Sequence, residues 1–143
     1  MRWWDTSALL SLLLQQETTD ELKALLASDD TLVVWWGTKV EAASAVSRLQ
    51  RDGYIESRVS ARLFKHLDGL LSAAYEVQPL EEVRATACRA LRVHELRAAD
   101  ALQLAAAIVW AEHHPTGLGF VCLDRRLREA ATREGFEVLP ESS

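Results

Sequence analysis

"TLVVWWGTKVEAASAVSRLQRDG", residues Thr31 to Gly53, holds the pattern that decides the fold. Its first six residues, Thr31–Trp36, are β-branched, aliphatic or aromatic and run without alternation. That is expected of a strand covered on both faces rather than one that lies against water. Gly37 breaks the run, and the residues from Thr38 read as a helix closed by Gly53. Outward from this stretch the same alternation repeats. "MRWW" is a short strand followed by a helix over "SALLSLLLQQ". "TTDELKALLAS" is a second helix, with Thr18 and Glu21 at capping-box spacing. Downstream, "SRVSARLFKHLDGLLSAAY" and "LEEVRATACRALRV" supply two helices, with a short strand near Glu76–Gln78 between them. "GFVCL" is a strand, "DRRLREAATREG" a helix ending at Gly135, and "FEVL" a last strand before Pro140. Strands alternating with helices predict an α/β fold, a central, mainly parallel β-sheet flanked by helices on both sides. We expect one domain over residues 1–140 and a tail over 141–143.

Composition narrows the function classes. The 143 residues are 49% apolar and 26% charged, an ordinary globular balance. A net charge of −5 gives no global electrostatic case for nucleic acid, so any such binding must use local patches. Arginine outnumbers lysine thirteen to three, and Arg48, Arg51, Arg58, Arg62 and Lys65, then Arg125, Arg126, Arg128 and Arg133, form local groups. Any single group reads first as a solvated helix face. Cys88 and Cys122 make no metal or redox motif and read as two buried thiols in a reducing compartment. Asp5 interrupts the apolar start, no small-residue cleavage site follows it, and no run is long enough to span a bilayer. A cytoplasmic protein without membrane contact is expected.

One helix carries an anomaly. From Ala98 to Ala111 every residue is apolar except Asp100 and Gln103, which predicts a helix buried nearly all round. A carboxylate in its first turn needs a partner or a cation, because burying an isolated charge is expensive. Three further acids belong with it if the sheet is parallel. Asp5 follows the first strand, Asp124 follows "GFVCL", and Glu41 lies in the first turn of the helix leaving "TLVVWW". Strand ends in such a sheet share one edge, where open α/β folds bind their ligands. Each acid also has a plain structural explanation. Asp5 and Asp124 are placed to cap helices, Thr38 and Glu41 match a capping box, and Arg97 can pair with Asp100. Together, four acids on one edge favour a hard divalent cation such as Mg²⁺ or Mn²⁺. The histidines offer no zinc spacing, no nucleophile elbow or phosphate loop is present, and Ser7 stands where a phosphatase-like second aspartate would be needed.

With "DTSALL", "TKVEAASA", "LRAADALQLAAA" and "FVCLDRRLREAATREGFEVL" in that order, the chain resembles the PIN-domain ribonucleases, specifically the VapC-type toxins of toxin–antitoxin pairs. The resemblance covers nearly the whole chain. It implies that Asp5, Glu41, Asp100 and Asp124 bind Mg²⁺ or Mn²⁺ and support hydrolysis of RNA phosphodiester bonds, with Asp5 and Asp100 as principal ligands and a hydroxyl from Thr6 or Ser7 nearby. It also implies a cognate antitoxin protein as partner. Three positions depart from the family pattern: Ser11 stands where lysine is common, Gln103 where histidine is common, and Cys122 where threonine or serine is common. The alternatives are a PIN nuclease of RNA processing and an inactive PIN-fold binding module. Part of the leucine-rich first helix (Leu9, Leu10, Leu12, Leu13, Leu14) is expected to meet a homodimer mate or an antitoxin helix, although any one leucine taken singly reads as core.

Overall fold

The computed structural model of the chain describes residues 1–141, so of the expected tail only Glu141 falls within it. The elements are β1 (Arg2–Trp4), α1 (Thr6–Leu13), α2 (Thr19–Ser28), β2 (Leu32–Trp35), α3 (Thr38–Arg51), α4 (Ser57–Ser72), β3 (Tyr75–Val77), α5 (Glu81–Val93), α6 (Ala98–Trp110), β4 (Gly119–Val121), α7 (Arg125–Glu134) and β5 (Glu137–Leu139). The strands form one sheet in the order β3-β2-β1-β4-β5. Every pairing is parallel, with Trp3 opposite Val33 on one side and Phe120 on the other.

Successive strand residues point to opposite faces, and this sheet uses both. Trp3, Val33, Val77 and Phe120 face a core built with α5, α6 and α7. Trp4, Val34, Val121 and Leu139 face a second core with residues of α1 and α2. That is why "TLVVWW" is continuous: all four residues of β2 are buried. Helix α6 suits its place because Ala101, Ala105, Ala106 and Ala107 are fully buried and let it approach its neighbours closely.

Strand order sets the geometry of the site. The chain runs from central β1 outward through β2 and β3, then returns to lay β4 and β5 on the other side of β1. The reversal leaves a crevice between β1 and β4 at the C-terminal edge, the topological switch point where such sheets bind ligands.

Three local expectations need correction. Helix α1 ends at Leu13 rather than Gln16. The Thr19 hydroxyl accepts from the Gln16 N–H and donates to the carbonyls of Ser11 and Leu14, drawing that segment into a turn. The Thr18–Glu21 capping box does not form, since Thr18 is helical in conformation and its hydroxyl instead meets that of Ser11 at 2.8 Å. Only Cys122 is a buried thiol, whereas Cys88 is exposed. Among the described residues no helix is long and apolar enough to cross a membrane.

Candidate active site at the strand ends

Asp5 follows β1 directly and is only 4% exposed. It is the N-cap of α1, accepting from the Ala8 N–H at 3.3 Å and from the Ser7 hydroxyl at 2.7 Å. The Ser7 hydroxyl in turn accepts from the Leu123 N–H at 3.0 Å, tying the end of β1 to the segment leaving β4. Burial pushes the Asp5 carboxyl up to about 6, against the pull of these hydrogen bonds and of a bond from the Cys122 thiol.

Glu41 is not the second half of a capping box. The N-cap of α3 is Gly37, without a side-chain cap, and the Thr38 hydroxyl accepts from Gln103 at 3.0 Å. Only glycine fits at that cap, because a Cβ there would run into the Trp35 indole. The half-buried Glu41 carboxyl accepts from Gln103 at 3.1 Å. Burial pushes it up to about 7, helped by the negative charges of Asp5 and Asp100 and opposed by the Gln103 amide and the Thr6 hydroxyl.

Asp100, in the first turn of α6, is half-buried. Its carboxyl is raised by burial first and then by the charge of Asp124. Arg97 offsets part of this, but no ion pair closes between the two, so the expected partner does not neutralise it. Asp124 is exposed and caps α7, accepting from the Leu127 N–H at 3.0 Å.

The four acids are therefore strung along the crevice. Glu41 feels Asp5 and Asp100, and Asp100 feels Asp124. Among the described residues no three His, Cys, Asp or Glu side chains are drawn together tightly enough to enclose a metal ion. The donor set nevertheless fits a hard dication. Mg²⁺ keeps several waters and takes one or two carboxylates rather than a full protein cage, and the like charges here favour a cation between them.

Of the departures from the family pattern, Ser11 is fully buried in its bond to Thr18. The Cys122 thiol is pushed far up by burial and stays protonated, with its sulfur 3.6 Å from the Asp124 carbonyl. Two residues gained no role from sequence. Arg128 donates to the carbonyls of Cys122 and Pro140, both at 2.7 Å, holding the ends of β4 and β5 together. Gln103 bonds Trp3, Thr6, Thr38 and Glu41 at once. Its signal was present in sequence: with Asp100, three residues earlier, it is one of two polar residues in an apolar run. His94, isolated in sequence, is buried 2.6 Å from Glu134, and His113 pairs with Glu82.

The class of molecule these features define is a parallel α/β domain with an acid-lined crevice at its switch point. The model of the PIN domain matches residues 4–133, and the chain belongs to that family. The fold is close to that of FitAcB from Neisseria gonorrhoeae, 20% identical over 96% of each chain with a TM-score of 0.66. PAE2754 from Pyrobaculum aerophilum is 25% identical over 94% of this chain and 81% of its own, with a TM-score of 0.62. A protein in a toxin–antitoxin complex from Klebsiella pneumoniae is 14% identical over 87% of each chain, with a TM-score of 0.64. By sequence, no curated protein is significantly similar.

The raised carboxyls predict an inverted pH dependence of stability in chelator. Asp5 and Glu41 titrate near 6 and 7 in the folded chain, against 3.8 and 4.5 ordinarily. In that window the folded state binds more protons than the unfolded one, so these groups make stability rise as pH falls from about 7 toward 4. Asp5 alone opposes folding by roughly 3 kcal/mol at neutral pH. Asparagine keeps the cap, so Asp5→Asn should be more stable than wild type in urea near pH 8 and equal to it near pH 4. A variant less stable than wild type near pH 8 contradicts the assignment.

Proposed function

We propose that the chain is a metal-dependent ribonuclease toxin of the VapC type, neutralised by a cognate antitoxin. The observation that carries this reading is Asp5: a buried, destabilising carboxylate at the switch point, with Glu41, Asp100 and Asp124 along the same crevice. Beyond the two helix caps, crowding these carboxylates into one crevice adds no stability, which favours a functional reason for it.

Asp5 and Asp100 would be the principal ligands of Mg²⁺ or Mn²⁺, with Glu41 and Asp124 beside them. Such an ion, when bound, supplies a water of lowered pKa and stabilises charge on the phosphate in an in-line displacement. The chain supplies the rest. Asp5 is held by Ser7 and the α1 backbone, so its oxygens keep a fixed direction. Glu41, whose Oε1 is held by the Gln103 amide, is suited to orient the attacking water. The exposed Arg97 and Arg125, each close to one of the acids in sequence, would meet the RNA backbone, a contact that salt should weaken.

The reading covers residues 1–140 as one domain acting in the cytoplasm. The antitoxin part is supported by the fold neighbours, among them the Klebsiella pneumoniae protein from a toxin–antitoxin complex and FitAB bound to an IR36 DNA fragment. It is also supported by a groove of about 590 Å³ between α1 and α4. Leu13, Val59 and Leu63 give the groove an apolar lining, and Arg62, Lys65 and His66 give it a basic side, which suits an amphipathic helix with acidic residues. Self-association as a homodimer belongs to the same reading.

Two experiments test this reading. Asparagine preserves the Asp5 cap, Asp100 caps nothing, and at both positions the amide is a poor ligand for a hard dication. Asp5→Asn and Asp100→Asn should therefore melt no lower than wild type while Mg²⁺- or Mn²⁺-dependent RNA cleavage falls by more than about a hundredfold. Full cleavage by the folded double variant, or cleavage that survives exhaustive chelation, overturns the site. For the groove, the wild-type chain coexpressed with the product of the neighbouring reading frame should copurify with it, and Leu13→Glu should not. Undiminished copurification of Leu13→Glu places the partner elsewhere.

A further inference from the structure

We propose that Gln103 is a positioning residue that fixes the Glu41 carboxylate, committing Oε1 to the protein interior and leaving Oε2 to the site. The inference rests on the nuclease reading above but is argued from this chain's own hydrogen bonds. Gln103 is 1% exposed and lies one helical turn after Asp100 on α6, beneath the acid-lined edge. Its amide has only one workable orientation. The Trp3 indole N–H is a donor without acceptor capacity and lies 3.2 Å from Gln103 Oε1. The amide oxygen must therefore face Trp3, and the NH₂ must face the site.

There Gln103 Nε2 meets three oxygens: Thr6 Oγ1 and Thr38 Oγ1, both at 3.0 Å, and Glu41 Oε1 at 3.1 Å. Two hydrogens shared over three acceptors join the start of α1 to the first turn of α3, and the amide oxygen adds β1 through Trp3, all through one side chain on α6. Glu41 is a long side chain with three rotatable bonds and has no cap to hold it, since Gly37 caps α3. The Gln103 amide, with the Thr6 hydroxyl that the same amide holds, selects its rotamer. A neutral donor also holds the carboxylate without cancelling its charge, which a cation in the same place would do.

A residue that only filled space would be replaceable by one of the same length and shape. Gln103→Met keeps the volume and removes the amide. With the fold retained, the variant should bind Mn²⁺ about 10- to 100-fold more weakly and lose kcat by a similar factor, the usual cost of losing an outer hydrogen bond to a metal ligand. In a Glu41→Ala background the same change should cost nothing further, because the bond through which Gln103 acts is already gone. Side-chain NMR of Glu41 should show one ordered rotamer in the wild type and averaging in Gln103→Met. That readout needs neither metal nor RNA, so it separates failure of this inference from failure of the nuclease reading. If Gln103→Met does not fold, Gln103→Asn replaces it, being polar but one methylene too short to span Trp3 and Glu41. Equal losses of Mn²⁺ affinity in both backgrounds, or a Glu41 side chain just as ordered without the amide, overturn the proposal.

Discussion

The arrangement of this molecule hangs on one buried carboxylate. Asp5 sits where the central strand gives way to α1, almost without water, and burial raises its proton affinity by more than its hydrogen bonds lower it. Its position follows from strand order. Because the chain reverses direction across the sheet at β1, the residue after β1 faces a crevice that no crossover helix fills. The three other acids come from elements that begin or end at the same edge. The electrostatic cost is therefore a product of topology and cannot be repacked away locally.

Capping and ligation are often treated as rival explanations for an acid at a helix start. Here Asp5 and Asp124 do cap, each accepting from a backbone N–H three residues on. A cap uses part of a carboxylate, and the remaining lone pairs stay available to a cation. Glu41 differs, since its expected capping role is absent and its bond goes across the fold to Gln103. Neutral side chains hold these acids in place: Ser7 for Asp5 and Gln103 for Glu41. None removes the negative charge that an incoming cation would meet.

Much of this was legible in the sequence. The unbroken apolar run of β2 announced a sheet covered on both sides, and the strand–helix alternation placed Asp5, Glu41, Asp100 and Asp124 on one edge. Asp100 was visible as an anomaly in an otherwise apolar helix, although the start of α6 lies at the surface and leaves it half-buried. What sequence could not give were contacts between residues far apart in the chain. Gln103 bonds Trp3 across 100 positions, and His94 meets Glu134 across 40. Thr18 matched a local motif and still did not cap, because Ser11 offered its hydroxyl a tertiary partner. Thr38 left its motif for the same reason when Gln103 arrived from α6. Short-range patterns fail where a buried polar group elsewhere needs the same atoms.

The central claim is that the crevice between β1 and β4 is costly as a bare protein surface and is completed by a dication. Crystals soaked in Mn²⁺ and measured for anomalous scattering test it directly. The account predicts a peak in that crevice, bonded to Asp5 at roughly 2 Å and completed largely by water. Mn²⁺ bound only at surface carboxylates, with the crevice empty in well-diffracting crystals near pH 8, would contradict it.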